Sequence, residues 1–354
     1  MILKKYYDVS DDLAAYPEAW CILAWSARSC GKTYSTLKYM VEHNMIFCFL
    51  KRTIKDIDML CMSGKGKDVV FDVSPFKPLN RDLGWNFQPV KIKEGFAGFY
   101  RCDESGKPHG LPVAYCTALA AAGDIKGFDM SEVDFLIFDE FIPKRYERVK
   151  RTEGEALLDI YMTLKRDRLI RGRRELVLIC LANATSIANP TFNTLKVIDD
   201  AAQLQINNRE YSYLEKRKIL LHRIPTAEAV AEEKSGIEIA MEGTAWAQMA
   251  FSGDFAFDDL TNVKRNTLKG YRPLCAYYYQ KEYTYIYEKN GHYYATHSKA
   301  KTDRIYNLER ENEQKKFWYD FVCDLREECI DDRMVFEEYT MYDLIINYKK
   351  IFIL

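Results

Sequence analysis

The chain has 354 residues, 48% of them hydrophobic, and its 51 basic and 52 acidic side chains leave a formal net charge of −1. That length suits two domains of ~150 residues each and allows a substantial buried core. The charge balance excludes a globally basic protein that coats nucleic acid; a ring enclosing its track would still need only a local basic lining.

Residues 1–19 begin MILKKYYDVSDDL, a polar lead-in without the apolar h-region of a signal peptide. No apolar run in the chain approaches the ~18–20 residues that span a membrane, so a soluble, intracellular protein is expected. Tyr6 and Tyr7 have two readings, stacking on a nucleotide base or packing at the domain edge.

Cys21 to Lys38, CILAWSARSCGKTYSTLK, runs from a short apolar stretch through small polar residues into a helix-like pattern. Strand, tight loop and helix in that order are what a phosphate-binding loop requires, because backbone N–H groups and a helix N-terminus then face the phosphates. Ser26, Ala27, Arg28, Ser29, Cys30, Gly31, Lys32 and Thr33 would form the loop. Lys32 would reach the β- and γ-phosphates of ATP and the Thr33 hydroxyl would sit on Mg²⁺. Ser26 stands where the pattern G-x-x-x-x-G-K-S/T has its first glycine, and serine takes up positive φ less freely. A helix over Lys32–Glu42 with Tyr34, Leu37 and Val41 on one face follows, then a buried strand over Met45–Leu50 ending in Lys51-Arg52.

Residues 53–110 read as an irregular insertion with one or two hairpins, and Leu111–Leu119 as a strand. Lys55, Lys65 and Lys67 on this insertion are candidate DNA contacts, with Arg145, Lys150 and Arg151 as weaker ones further on; the usual reading of such a charge cluster is a solvated face. Val133-Asp-Phe-Leu-Ile-Phe-Asp139-Glu140 is an apolar run ending in two carboxylates, the pattern of a buried parallel strand with acids at its C-terminal tip. There Asp139 would hold Mg²⁺ and Glu140 would activate the attacking water. A helix through Arg168 buries Leu157, Ile160, Tyr161 and Leu164, which would place Arg166 and Arg168 at the sheet's edge. A third strand, Glu175–Leu181, ends near Asn183, which serves either as a γ-phosphate sensor or as a turn residue before Asn189-Pro190.

Between 200 and 250 the chain is charged and Ala-rich and reads as a helical linker. From about 254 the tyrosine-rich runs 277–279, 283–287 and 292–294 alternate like antiparallel strands, with Asn290-Gly291 as a hairpin turn. The ten cysteines contain no C-x-x-C pair, so zinc is not expected and the thiols read as small core residues of a reduced compartment.

Taken together, SARSCGKT, the strand ending FLKR, VDFLIFDEFI, the KRDR segment and LICLANATSIANPTF resemble the DNA encapsidation ATPases of small podophages of the Picovirinae group. The resemblance covers residues ~15–200 and continues more weakly through EGTAWAQMAFSGDF. It implies an α/β P-loop NTPase domain of the ASCE type over 1–200, a helical linker over 201–253 and a smaller α+β domain over 254–354, like RNase H without its nuclease activity. It further implies an ATP- and Mg²⁺-dependent motor, assembled as a homo-oligomeric (pentameric) ring, that drives double-stranded DNA through the portal of a prohead in the host cytoplasm. Whether a packaging RNA takes part is left open. Arg166 falls where the family places its arginine finger, with Arg168, Arg173 and Arg174 as alternatives. The competing readings are a terminase large subunit with an active nuclease, for which Asp254, Asp258 and Asp259 are the compact acidic group, and a nucleotide-gated binding protein without turnover.

Overall fold

The computed structural model describes residues 6–61, 64–65, 70–71, 73–125, 128, 130–226 and 235–353, with backbone alone at 64–65 and 70–71. The chain forms two compact units, the first ending at Lys196 and taking in Asn207–Phe257, the second comprising Val197–Ile206 and the chain from Asp258.

In the first unit, α1 (Val9–Ala15) precedes β1 (Cys21–Ser26), α2 (Lys32–Glu42), β2 (Phe47–Lys51) and α3 (Ile54–Cys61). A small ribbon pairs β3 (Gly64–Lys65) with β4 (Val70–Phe71). Then come α4 (Lys77–Leu83), β5 (Phe87–Lys93), β6 (Phe96–Cys102), β7 (Pro108–Ala118), β8 (Phe135–Asp139), α5 (Glu153–Lys165), β9 (Val177–Asn183) and α6 (Pro190–Thr194). After α7 (Ile198–Ile206), which belongs to the other unit, β10 (Tyr211–Leu214) and β11 (Ile219–Arg223) complete the sheet. Its order is β10-β11-β1-β9-β8-β2-β7-β6-β5. The strands from β11 to β7 run parallel. Their middles are apolar because both faces are covered: Ile22, Leu23, Phe47, Phe49, Ile137 and Ile179 are all fully buried.

Two expectations are corrected here. Residues 53–110 do contain hairpins, β3–β4 and β5–β6, but they are not an irregular insertion, since β5, β6 and β7 extend the main sheet as an antiparallel meander. Aromatic packing ties them in, with the Phe76 ring 5.0 Å from Phe99 and 5.2 Å from Phe87. Nor is 201–253 helical throughout: Gly236–Ala240 and 245–252 are helical as expected, but 211–223 is sheet. The charged run Glu215–Lys218 is the turn of the β10–β11 hairpin, with Lys218 at φ +52, and Ile219-Leu220-Leu221 is a buried strand beside β1.

The second unit holds β12 (Arg272–Tyr279), β13 (Glu282–Lys289), β14 (His292–Thr296), β15 (Ile305–Asn307) and β16 (Met334–Phe336), ordered β15-β12-β13-β14-β16. Asn290 and Gly291 both take positive φ, 53° and 75°, as a tight hairpin of this type demands. A meander with a fourth strand parallel to its first is the arrangement expected of an RNase H-like sheet; the fifth strand joins the far edge, beside β14. The tyrosines chiefly pack: Tyr277, Tyr285, Tyr287 and Tyr294 are buried, and Tyr277 lies against Phe317. Asp199 of α7 accepts hydrogen bonds from Thr340 N and Oγ1 at 3.0 and 2.8 Å. Burial pushes its carboxyl up to about 6.

Candidate active site

β1 delivers the phosphate loop, and the local backbone explains how Ser26 can replace glycine. Ser26 is still in the strand, paired with Asn183, and the left-handed conformations fall on Ser29 (φ +59) and Gly31 (φ +83). The Ser26 position therefore asks nothing that only glycine could give. Its hydroxyl donates to the Ala27 carbonyl at 2.7 Å and accepts from Lys32 Nζ at 2.5 Å. Lys32 also donates to Ala27 O at 3.0 Å and to Asn183 Oδ1 at 3.3 Å. Burial pulls the Lys32 ammonium down to about 8.

The neighbouring strand tips converge on the loop. Thr33 Oγ1 donates to Asp139 Oδ1 at 3.0 Å, and Lys51 Nζ, at the tip of β2, lies 2.8 Å from Asp139 Oδ2. Burial disfavours the Lys51 charge, but Asp139 and Glu140 together outweigh it and hold its pKa above the ordinary lysine value. Glu140 follows in a left-handed conformation, φ +62, which turns the chain out of the strand. Its carboxylate is about half exposed and 3.7 Å from Lys144 Nζ.

Arg52 secures that turn. Its guanidinium donates to the Glu140 and Phe141 carbonyls at 2.9 and 3.1 Å and pairs with Glu147 and Glu153, each at 2.9 Å. Glu153 is raised by burial even against this partner. A cavity of about 230 Å³ opens here between Lys51, Arg52, Asp139, Glu140 and Arg148. Sequence reading gave Lys51 and Arg52 no role. The available signal was their place at the end of an apolar strand, the same pattern that singled out Asp139 and Glu140.

The loop residues, Asp139, Glu140 and Asn183 are thus brought together, and Arg166 is not. Helix α5 descends from the acidic tip, so its last turn meets the opposite ends of the strands: Tyr161 Oη donates to Leu176 O and Lys165 pairs with Glu175. Arg166 is the exposed residue just past that turn. Arg168 does not sit at the surface as expected. It is 1% exposed and bonds to Ser131 O at 3.0 Å, Arg174 O at 3.1 Å, Asp134 at 2.7 Å and Val133 O. Arg173 also reaches Ser131 O, whereas Arg174 is exposed.

Lys55 is exposed on α3 and Lys65 lies on β3, while Lys67 falls outside the described residues. The three acids considered for a nuclease have separate partners. In the first unit Asp254 pairs with Arg223 at 2.6 Å. In the second, Asp258 accepts from Tyr339 at 2.7 Å and Asp259 from Thr261 N at 2.9 Å. Among the described residues no three His, Cys, Asp or Glu side chains cluster to hold a metal ion, and no helix is long and apolar enough to cross a membrane.

With β9 inserted between the phosphate-loop strand and the acid-tipped strand, the sheet has the arrangement of the ASCE branch of P-loop NTPases. The pattern of the podovirus DNA encapsidation protein (Gp16) family matches residues 6–317, and the chain belongs to that family. The DNA packaging protein of Bacillus phage B103 is 31% identical over 244 residues, which span 68% of this chain and 66% of that relative. Among solved structures, the bacteriophage Phi-29 viral genome packaging motor assembly matches with a TM-score of 0.65 at 17% identity, over 98% of both chains. The Phi-28 gp11 DNA packaging motor gives 0.57 at 18% identity, over 99% of this chain and 98% of that one.

Proposed function

We propose that this chain is the ATP-hydrolysing subunit of a viral DNA packaging motor, working as a ring on double-stranded DNA at the portal of a prohead in the host cytoplasm. The observation that carries the reading is the meeting of Lys32, Thr33, Asp139 and Asn183 within hydrogen-bond distance at the tips of three adjacent strands, with Glu140 next to them. Loop N–H groups and Lys32 would hold the ATP phosphates. Thr33 Oγ1 and Asp139 Oδ1 supply the hard oxygens that suit Mg²⁺, which when bound neutralises charge on the β- and γ-phosphates. Glu140 would take a proton from the attacking water, and Asn183, beside Lys32, would sense the γ-phosphate. Arg166 would act on a neighbouring subunit, in a ring that family resemblance makes pentameric. Lys55, Lys65 and Lys67 are the proposed DNA contacts.

The test is ATP turnover by the purified chain with Mg²⁺, with and without linear double-stranded DNA. Turnover that DNA stimulates and that Lys32→Ala abolishes is expected. ATP bound without any turnover under either condition would favour a nucleotide-gated binding protein and sink the motor reading.

A further inference from the structure

Phosphates held by the Ser29–Thr33 amides at the start of α2 would leave the ribose and base beside the first turn of that helix. A segment of the N-terminal lead-in crosses that turn. Tyr7 N donates to Cys30 O at 3.1 Å, and Val9 N donates to Ser35 Oγ at 2.9 Å. Tyr7 points inward as an anchor, with its hydroxyl on buried Asp12 at 2.9 Å and its ring 5.6 Å from His222. Tyr6 stays outside that buried cluster. Its side chain lies against the loop glycine, so that a Cβ built on Gly31 would meet Tyr6 Cβ at 3.3 Å and Cδ1 at 3.5 Å, yet Tyr6 remains 51% exposed. The other aromatic at this turn, Tyr34, is hydrogen-bonded to Asp82.

We propose that Tyr6 is the platform on which the purine base of the bound nucleotide stacks. This rests on the phosphate-loop reading above and adds the half of the ligand that the loop itself cannot recognise. The aromatic face supplies the affinity, so the hydroxyl is dispensable.

Titration calorimetry of the full chain with ATP and with inorganic tripolyphosphate separates the two halves. Tyr6→Ala should weaken ATP by about 5- to 150-fold, the range seen when a stacking aromatic is lost, and leave tripolyphosphate affinity unchanged. Tyr6→Phe should bind both ligands as the unaltered chain does. An equal loss for both ligands would mean that Tyr6 only supports the loop, and ATP affinity unchanged by Tyr6→Ala would remove the platform. Failure of the unaltered chain to bind either ligand would overturn the phosphate-loop reading and the platform with it.

Discussion

Gly253 stands so close to the phosphate loop that a Cβ there would fall 2.4 Å from the Ala27 nitrogen and 2.8 Å from the Ser26 carbonyl carbon. Its φ of +71° is a second demand for glycine. The same segment accepts the Arg28 N–H on Ala250 O at 2.9 Å and sets the Phe255 ring 5.5 Å from Trp25. The loop is thus braced by chain that lies 220 residues further along the sequence at Gly253 relative to Thr33. Gly253→Ala should push the loop off this brace, costing about 1–3 kcal/mol as overpacking does and weakening ATP binding. Thermal unfolding and nucleotide titration check both effects. An unaltered melting temperature together with unaltered affinity would show that the brace yields.

Glu140→Gln keeps the shape of the acidic tip and removes the carboxylate proposed as the base. ATP should still bind, because the loop and Lys32 are untouched, and hydrolysis should fall by roughly 10²–10⁴. Stopped-flow binding beside steady-state phosphate release separates these steps. Near-normal release would take Glu140 out of the mechanism.

Much of this site is legible in the sequence because each part is local. The apolar runs at 21–25 and 135–138 declare buried strands, and the residues straight after them, Ser26–Thr33 and Asp139-Glu140, must lie at strand tips. The Asn290-Gly291 turn is legible for the same reason. What is not legible depends on contacts far apart in the chain. Nothing near Gly253 announces the phosphate loop it packs on, and Arg168 looks like a surface arginine until Ser131 and Asp134 surround it. The Glu215–Lys218 run shows how composition misleads: charge and length suit a helix, but a turn between two sheet strands is equally polar.

In the second unit His297 is held between Glu338 Oε2 at 3.0 Å and the Tyr283 carbonyl at 2.9 Å, with Glu282 at 3.9 Å. The Glu338 hydrogen bond raises its pKa to about 9 despite partial burial. The folded value lies above the unfolded one of about 6.5, so the stabilisation is complete below pH ~6.5 and lost as pH rises through about 9. Asp199, raised by burial to about 6, acts in a lower window. The stability difference between the unaltered chain and His297→Gln should therefore shrink from pH 6 to pH 9. A difference that stays constant across this range would show that the pair does not titrate as described.

Arg168 and Arg166, both just after α5, should behave in opposite ways. Arg168→Leu leaves Asp134 and the Val133 and Arg174 carbonyls without the Arg168 guanidinium, while Ser131 O keeps Arg173. Asp134 is partly exposed and water can solvate it, so the main cost is the buried carbonyls left without a donor, about 1–3 kcal/mol each, and the variant should melt lower. Arg166→Ala removes an exposed side chain and should melt normally.

Arg166 lies at the ends of the strands opposite its own phosphate loop, so any part it plays in hydrolysis has to be played in a neighbour's site. In the proposed mechanism Lys32, the Thr33 and Asp139 oxygens and Glu140 would still leave transition-state charge on the γ-phosphate oxygens. An arginine supplied in trans adds ~10³–10⁵ in rate in enzymes that use one. The competing account is that Arg166 complements the C-terminal dipole of α5, worth about 0.3–1 kcal/mol and unrelated to turnover. Arg166→Ala should bind ATP normally and hydrolyse it poorly. Mixed with Lys32→Ala subunits it should regain activity, because some interfaces then join an intact loop to an intact arginine. The same mixing with Arg174→Ala in place of Arg166→Ala is the control, since Arg174 is the other exposed arginine of this group. Recovery with Arg174→Ala alone would move the finger there. No recovery with either, in rings whose assembly is verified by sedimentation, would assign these arginines to the helix end and leave the transition-state charge to residues within one subunit.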